Sequence, residues 1–190
     1  MKQESMIKNI LRLSLTLLII TGVIAAALAG VNTITKDRIA AAKEEKRAQA
    51  LLDVLRDGDK AVAMDKLPPL PEGVTGVLVS DEGYAVEVTT NGFGGSISMM
   101  VGVDREGRIL GVAIVSHTET PSLGAVAGDK TTKGQEFRNQ YIGLSGQLAV
   151  KKDGGSVDAI SGATITSKAV TEGVNAALEC VQLLMQNQEG

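Results

Sequence analysis

The residues best suited to chemistry lie in a short stretch before the last predicted helix. Residues 158–168 read DAISGATITSK and supply four hydroxyl side chains, those of Ser161, Thr164, Thr166 and Ser167. Free N–H groups at the start of a helix favour a phosphate, so the stretch suits a phosphate group beside several hydroxyls. A hydroxyl-capped helix after a glycine turn is the simpler interpretation. A P-loop is excluded, because Lys168 follows a serine and precedes Ala169.

The composition argues against most other kinds of site. The chain has one cysteine, Cys180, which excludes an internal disulfide and a thiolate-held cluster, and one histidine, His117, which argues against a histidine-based metal site. Cys180 falls in an apolar helical pattern and is predicted to be buried. The formal net charge is −3 and the basic residues are dispersed, so nucleic-acid binding has no electrostatic support.

The sequence DAISGAT, residues 158–164, resembles the Asp-x-x-Ser/Thr-Gly-Ala-Thr motif of proteins that are modified by a flavin transferase. In that family FMN is attached through a phosphoester to the last threonine of the motif, which here is Thr164. Thr166 lies beyond the motif. The resemblance implies that Asp158 serves the transferase reaction, although an exposed turn carboxylate explains this residue equally well.

The chain over about residues 36–188 also resembles the G subunit of the Rnf electron-transport complex and, more distantly, the C subunit of sodium-translocating NADH:quinone reductase. The resemblance rests on a single N-terminal membrane helix and on the sequences GFGGSISMMVGVDREGRILGV, HTETPSLG and AVKKDGG, in that order. Ser122 departs from the family, which usually has Gly between Pro and Leu in the second of these sequences. That departure bears on the conformation of the loop and not on the flavin.

The resemblance implies an FMN-binding site built from three segments. The loop HTETPSLG would lie over the isoalloxazine ring, the preceding glycines would let the backbone approach it, and a lysine would offset phosphate charge. The expected cofactor-binding residues are Thr164, Ser161, Gly162, Ala163, Thr166, Asp158, Thr118, Glu119, Thr120, Leu123, Gly94, Gly95 and Lys152. A plain hairpin explains the glycines equally well, and a solvated pair explains Lys151 and Lys152. No catalytic or metal-ligating residue is predicted.

By the same resemblance, the chain is expected to be an electron-transfer subunit of a membrane-bound, ion-translocating ferredoxin:NAD+ oxidoreductase of the Rnf type, and not an autonomous enzyme. Its expected partners are the other membrane subunits, notably the D subunit, and a flavin transferase for maturation. Two alternatives stay open. One is a stand-alone, membrane-anchored extracytoplasmic flavoprotein electron carrier, and the other is an anchored adaptor without flavin.

The N-terminal segment is expected to anchor in a membrane the domain that carries this site. The stretch from Leu13 to Thr35 contains no charged residue over 23 positions, enough to cross a hydrocarbon core of about 30 Å. A cleaved signal peptide is the competitor, but the apolar run is longer than its usual core. Basic residues Lys2, Lys8 and Arg12 favour a cytoplasmic N-terminus. We therefore expect a single-pass protein of the cell (inner) membrane with its domain on the extracytoplasmic side.

The elements that follow predict an α+β fold, with an antiparallel sheet and a C-terminal helix after the transmembrane helix. Residues 36–57 are predicted as a helical stalk with an apolar stripe of Ile39, Leu51, Leu52 and Leu55. Strands are predicted over 77–79, 84–88, 97–103, 109–115 and 148–150, with DREG as the turn between the third and fourth and an irregular segment over 67–73. Helices are predicted over 133–142 and 166–184, the second with an apolar stripe of Ala169, Val170, Val174, Ala177, Val181 and Leu184. The expected divisions are a tail and anchor over 1–35, a stalk and linker over 36–66, and the FMN-binding domain over 67–190.

Overall fold

The computed structural model describes residues 2–64 and 68–188. Its helices are α1 (Lys2–Val54), α2 (Thr132–Asn139) and α3 (Thr164–Gln188), and its strands are β1 (Val62–Ala63), β2 (Val74–Val79), β3 (Gly83–Asn91), β4 (Ser96–Asp104) and β5 (Ile109–His117). Short 3₁₀ turns occupy Gly58–Lys60, Gly124–Gly128 and Lys151–Asp153. The predicted α+β class, with an antiparallel sheet and a C-terminal helix, is confirmed.

Helix α1 contains the one described segment that is long and apolar enough to cross a membrane, with a mean hydropathy of 2.3. Its apolar side chains between Ile10 and Ile34 are all exposed. The helix predicted over 36–57 is present and ends at Val54. Two members of its predicted apolar stripe are confirmed, since Leu55 is buried and Leu51 packs against the smaller core. The other two members, Ile39 and Leu52, are exposed, and the contacts of the helix with the sheet that the structure describes come from Arg47, Ala50 and Val54 near its end.

The five strands form one antiparallel sheet in sequence order, β1-β2-β3-β4-β5. The DREG turn joins β4 to β5 as predicted, because Asp104 accepts bonds from the N–H groups of Glu106 and Arg108 and so holds the turn closed. Partial burial opposes the charged form of Asp104, but hydrogen bonds from these backbone groups and from the Arg108 side chain prevail and lower its pKa. Register shifts interrupt the β4–β5 ladder next to Gly102 and Met99.

The two faces of the sheet have separate cores. Helix α3 covers one face with the stripe predicted from the sequence, and its members Ala169, Val170, Val174, Ala177, Val181 and Leu184 are all buried. The smaller core on the other face joins the end of α1 to Met100 and Ala113. Both tyrosines, Tyr84 and Tyr141, are buried, at 1% and 0% exposure. Cys180 is buried as predicted, and this burial raises the pKa of its thiol to about 11.

Two predicted elements differ from the structure. The strand predicted over 148–150 was wrong, since Val150 forms only an isolated parallel bridge with Val157. The helix predicted over 133–142 is present as α2, but it ends at Asn139, after which a turn leads to the buried Tyr141. The predicted irregular segment over 67–73 is confirmed for residues 68–73, while Leu67 lies outside the described residues.

Candidate functional site

Three segments of the domain meet at the start of α3. They are the turn after β3 (residues 92–95), the loop after β5 (residues 118–124) and the DAISGAT motif itself. Within the motif, the N–H group of Ala163 donates to the carbonyl of Ile160 at 2.9 Å, which closes a four-residue turn. Gly162 occupies its third position with φ +76°, a conformation that favours glycine. Helix α3 therefore begins immediately after a turn that the motif itself encodes.

A buried carboxylate links the three segments. Glu119 is 7% exposed, and its two oxygens accept hydrogen bonds from different segments. Oε1 accepts from the N–H group of Gly94 at 3.0 Å, and Oε2 accepts from the Thr166 hydroxyl at 2.7 Å. The N–H group of Glu119 donates to Nδ1 of His117 at 3.3 Å, so the backbone of the loop satisfies this ring nitrogen. Hydrogen bonds to a charged carboxylate are stronger than neutral ones, which makes Glu119 the anchor of the site.

Glycines make room for this carboxylate. A Cβ atom on Gly92 or Gly124 would overlap the carboxylate oxygens of Glu119, so neither position accepts a side chain without moving Glu119. The predicted residues Gly94 and Gly95 lie against Thr118, whose hydroxyl donates to the carbonyl of Gly94 at 3.0 Å. Sequence analysis did not identify Gly124 as a site residue, because its contact with Glu119 depends on how the loop folds and not on the neighbouring residues in the sequence.

The loop after β5 adopts a strained turn at Ser122, the position where the resemblance leads us to expect glycine. Ser122 has φ +62°, and it is the one non-glycine residue in the described chain with positive φ. The carbonyl of Thr120 accepts bonds from the N–H groups of Leu123 and Ala125, each at 3.2 Å, and these bonds hold the turn. The loop therefore keeps a conformation that suits glycine although a serine stands there.

The two threonines of the first turn of α3 have different environments. Thr166 is 1% exposed and is held by Glu119, whereas Thr164 is half-buried and has no hydrogen bond from its hydroxyl within the described part of the chain. The N–H groups of Thr164, Ile165 and Thr166 have no acceptor among the described residues. These unpaired donors, which are typical of a helix start, can bind an anionic group next to the Thr164 hydroxyl.

A groove of about 490 Å³ adjoins the motif. Its walls include Ser122, Phe137 and residues 158–161. Gln140 fixes the motif wall, because its side-chain amide donates to the carbonyl of Asp158 at 3.2 Å and its oxygen accepts from the N–H group of Asp158 at 2.7 Å. Sequence analysis missed Gln140 and Phe137, since nothing in the pattern around α2 connects it to a motif some 20 residues later.

Two ion pairs lie around the motif. Asp158 is exposed and bonds to Lys151 at 2.7 Å, and Asp153 bonds to Lys168 at 2.7 Å. Lys152, which was the predicted charge partner, is exposed and makes no contact that the described structure records. Leu123 is 43% exposed and lies against the Gly162 turn, while Ser161 is exposed at its tip. Ala163 is buried beneath the turn.

Comparison with known proteins places this site in a family. Residues 92–179 match the FMN-binding domain family, and residues 1–54 match the N-terminal region of RnfG. The G subunit of the ion-translocating oxidoreductase complex from Pseudomonas aeruginosa is 33% identical over 93% of this chain and 88% of its own length. The chain belongs to the family of G subunits of ion-translocating oxidoreductase complexes. The family expected from the sequence motifs is thereby confirmed.

Other G subunits are also similar to this chain in sequence. The one from Methanosarcina acetivorans is 32% identical over 92% of this chain and 95% of its own length. The G subunit of the proton-translocating ferredoxin:NAD(+) oxidoreductase complex of Clostridium ljungdahlii is 41% identical over 52% of each chain. The fold is similar to the crystal structure of the C subunit of Na(+)-translocating NADH-quinone reductase from Parabacteroides distasonis, with a TM-score of 0.56 and 20% identity over 77% of this chain and 94% of that one. As a member of the G-subunit family with an apolar N-terminal helix, the chain is membrane-anchored.

Proposed function

We propose that this chain is the electron-transfer subunit of a membrane-bound, ion-translocating ferredoxin:NAD+ oxidoreductase complex, and that it carries FMN covalently on Thr164. The related G subunits are named as parts of such complexes, and an FMN-binding domain fits electron transfer within one. When bound, FMN supplies one-electron redox chemistry, and the protein supplies its orientation and surroundings.

The contrast between Thr164 and Thr166 carries the proposal. Both hydroxyls lie in the first turn of α3, but the Thr166 hydroxyl is buried and donates to Glu119 at 2.7 Å. The Thr164 hydroxyl lies at the last position of the DAISGAT motif and is accessible. A transferase can therefore reach Thr164 without unfolding the helix, whereas modification of Thr166 requires Glu119 to lose a bond in a buried site.

The residues around Thr164 fit FMN. The unpaired N–H groups at the start of α3 suit the phosphate, and they favour negative charge at that position. The neighbouring groove of about 490 Å³ lies in the usual range of ligand sites, and Phe137 lines it. Leu123 and Ile165 are exposed apolar side chains next to the motif, and an aromatic ring that covers them would remove apolar surface from water.

We further propose that the domain lies on the extracytoplasmic side of the cell membrane, with the D subunit among its partners and a flavin transferase as its maturation enzyme. The basic residues before the apolar stretch favour a cytoplasmic N-terminus. A covalent bond also keeps the cofactor in a compartment without a free FMN pool. A reporter that is active only outside the cytoplasm, fused after Gly190, tests the sidedness, and activity of a cytoplasm-only reporter would invert it.

The decisive experiment measures the intact mass of the full chain produced together with a flavin transferase. We expect the unaltered chain to carry one FMN and to remain yellow after acid precipitation, and Thr164→Ala to carry none. Thr166→Val is the matched control, because it removes the neighbouring hydroxyl and keeps the side-chain volume. If Thr164→Ala retains FMN and Thr166→Val loses it, the attachment site is Thr166 and the proposal is wrong.

A further inference from the structure

In the described part of the chain, the sheet has one long edge that no other strand covers. Among the described strands β5 pairs only with β4, and the opposite edge strand, β1, has two residues. The chain near Gly143 covers the first residue of β5, because the N–H and C=O groups of Ile109 bond to Leu144 and Gly143 at 2.9 and 2.8 Å. From Val112 to His117 the described structure records no backbone partner beyond β4. Such an edge is a template for a further strand.

A groove of about 760 Å³ follows this edge. Six consecutive residues of β5, Val112 to His117, line it. Successive side chains of a strand point to opposite faces, so a pocket above one face would be lined by alternate residues. The uninterrupted run means that the groove opens onto the edge itself. Its length is six residues, or about 20 Å, which suits an extended peptide of the same length.

The side chains that line the groove carry more positive than negative charge. The end of α1 contributes Lys46 and Asp53, and the segment from Lys130 to Arg138 forms the other wall. Arg138 is half-buried and donates only to the backbone carbonyls of Ala127 and Asp129, at 2.6 and 3.0 Å. Burial lowers its pKa, and the attraction of Asp53 and Asp129 does not offset this effect. Lys46, Lys130 and Arg138 line the groove against the carboxylate of Asp53, and with Asp129 beside Arg138 a positive charge still remains, so the groove favours an anionic occupant.

We propose that the β5 edge groove is a docking site for an extended, acidic segment of a partner protein, which adds to the sheet as a sixth strand. The backbone groups of Val112 to His117 would supply the ladder, and the basic side chains would select the charge of the segment. A second copy of this chain is a poor occupant, because edge-to-edge pairing would bring the same cations together. The β5 edge groove shares no lining residue with the groove beside the DAISGAT motif, and the proposed docking makes no use of flavin.

The test uses the full chain in its native membrane. A photo-crosslinking amino acid replaces Ser116, which is exposed on the edge, and the cross-linked peptide is sequenced. We expect the cross-linked peptide to come from another protein, to contain acidic residues and to belong to a segment that is not helical. Hydrogen exchange at residues 112–117 should be about tenfold slower or more in the detergent-extracted complex than in the isolated chain. A cross-linker at the exposed Asp81 serves as the control position.

Charge reversal sharpens the same experiment. Lys46→Glu combined with Lys130→Glu should reduce the cross-linking yield by about tenfold, whereas Lys43→Glu combined with Lys60→Glu, at exposed lysines outside the groove, should leave it unchanged. If the groove variant unfolds the domain, Lys46→Gln with Lys130→Gln replaces it. Cross-links only to a second copy, to lipid or at the level of the Asp81 control would overturn the proposal, as would equal exchange in the complex and the isolated chain.

Discussion

In α1, the apolar side chains from Ile10 to Ile34 are each more than half exposed, whereas the apolar stripe of α3, from Ala169 to Leu184, is at most 8% exposed. The polar residues differ in the same way. Threonines of α1, such as Thr21, bond to carbonyls of their own helix, three or four residues earlier. In α3, Thr171 also bonds to a carbonyl of its own helix, but Thr166 and Asn175 bond to other segments. A helix that satisfies its own polar groups suits lipid, and one that needs partners suits a folded domain.

A buried arginine gives the strongest test of this difference. Val23 in α1 and Val174 in α3 receive the same substitution, Val→Arg. In the membrane helix an arginine costs about 2.5–3.5 kcal/mol of insertion free energy, so Val23→Arg should lower the fraction of chain that resists a high-salt wash. Val174 is 0% exposed, and its replacement should abolish cooperative unfolding of the domain in detergent. Each variant should leave the other property intact, and an exchange of the two outcomes would contradict the comparison.

Truncation of one leucine in each helix measures packing alone. Leu184→Ala in α3 removes a side chain that is 3% exposed, and it should lower the free energy of unfolding by about 2–5 kcal/mol. Leu17→Ala in α1 removes one that is 63% exposed, and it should change that free energy by less than about 0.5 kcal/mol. Urea unfolding of the full chain in detergent distinguishes them. Equal losses would mean that α1 packs inside the domain.

Loss of one polar side chain from each helix should have a smaller effect on the free energy of unfolding. Asn175 accepts from the N–H group of Leu148 at 2.9 Å and donates to its C=O group at 2.8 Å. Asn175→Ala leaves both groups unpaired and should cost about 1–3 kcal/mol of unfolding free energy, with faster hydrogen exchange at Leu148. Thr21→Val is the control and should be nearly neutral. Unchanged exchange at Leu148 would show that this pair does not hold the segment.

The smallest effect depends on pH. Burial raises the pKa of Tyr141 to about 12 against the opposing effect of its bond to Thr171, so its contribution to stability is full below pH 10 and is lost as pH rises through about 12. At pH 7, Tyr141→Phe should cost about 1 kcal/mol, because it removes this 2.8 Å bond. Between pH 10 and 12 the variant should approach or exceed the unaltered chain. Cys180 titrates in both the unaltered chain and the variant, so its effect on the difference in their unfolding free energies cancels. A difference that stays constant between pH 10 and 12 would refute the raised pKa of Tyr141.

The sequence predicts those features of the fold that depend on residues close together in the chain. The two apolar runs that flank the DREG turn predicted the β4–β5 hairpin, and helical spacing predicted the buried face of α3. The helix after the motif was predicted from residue 166, and it begins two residues earlier, at Thr164. Contacts between distant segments escaped prediction. The bond from Thr166 to Glu119 spans 47 residues, and the Gln140 clamp on Asp158 spans 18. Apolar spacing also misassigned Ile39 and Leu52, because spacing indicates a face but not whether anything packs against it.

The two buried tyrosines make the chain convenient for optical work. The sequence contains two tyrosines and no tryptophan, so its near-ultraviolet signal comes almost entirely from Tyr84 and Tyr141. Both lie in the core beneath α3, at 1% and 0% exposure, so both probes report on the same packed region. Unfolding transfers the two rings into water together. A single tyrosine emission trace therefore follows the integrity of this core, and any visible absorption of the purified protein comes from a bound chromophore without overlap from the polypeptide.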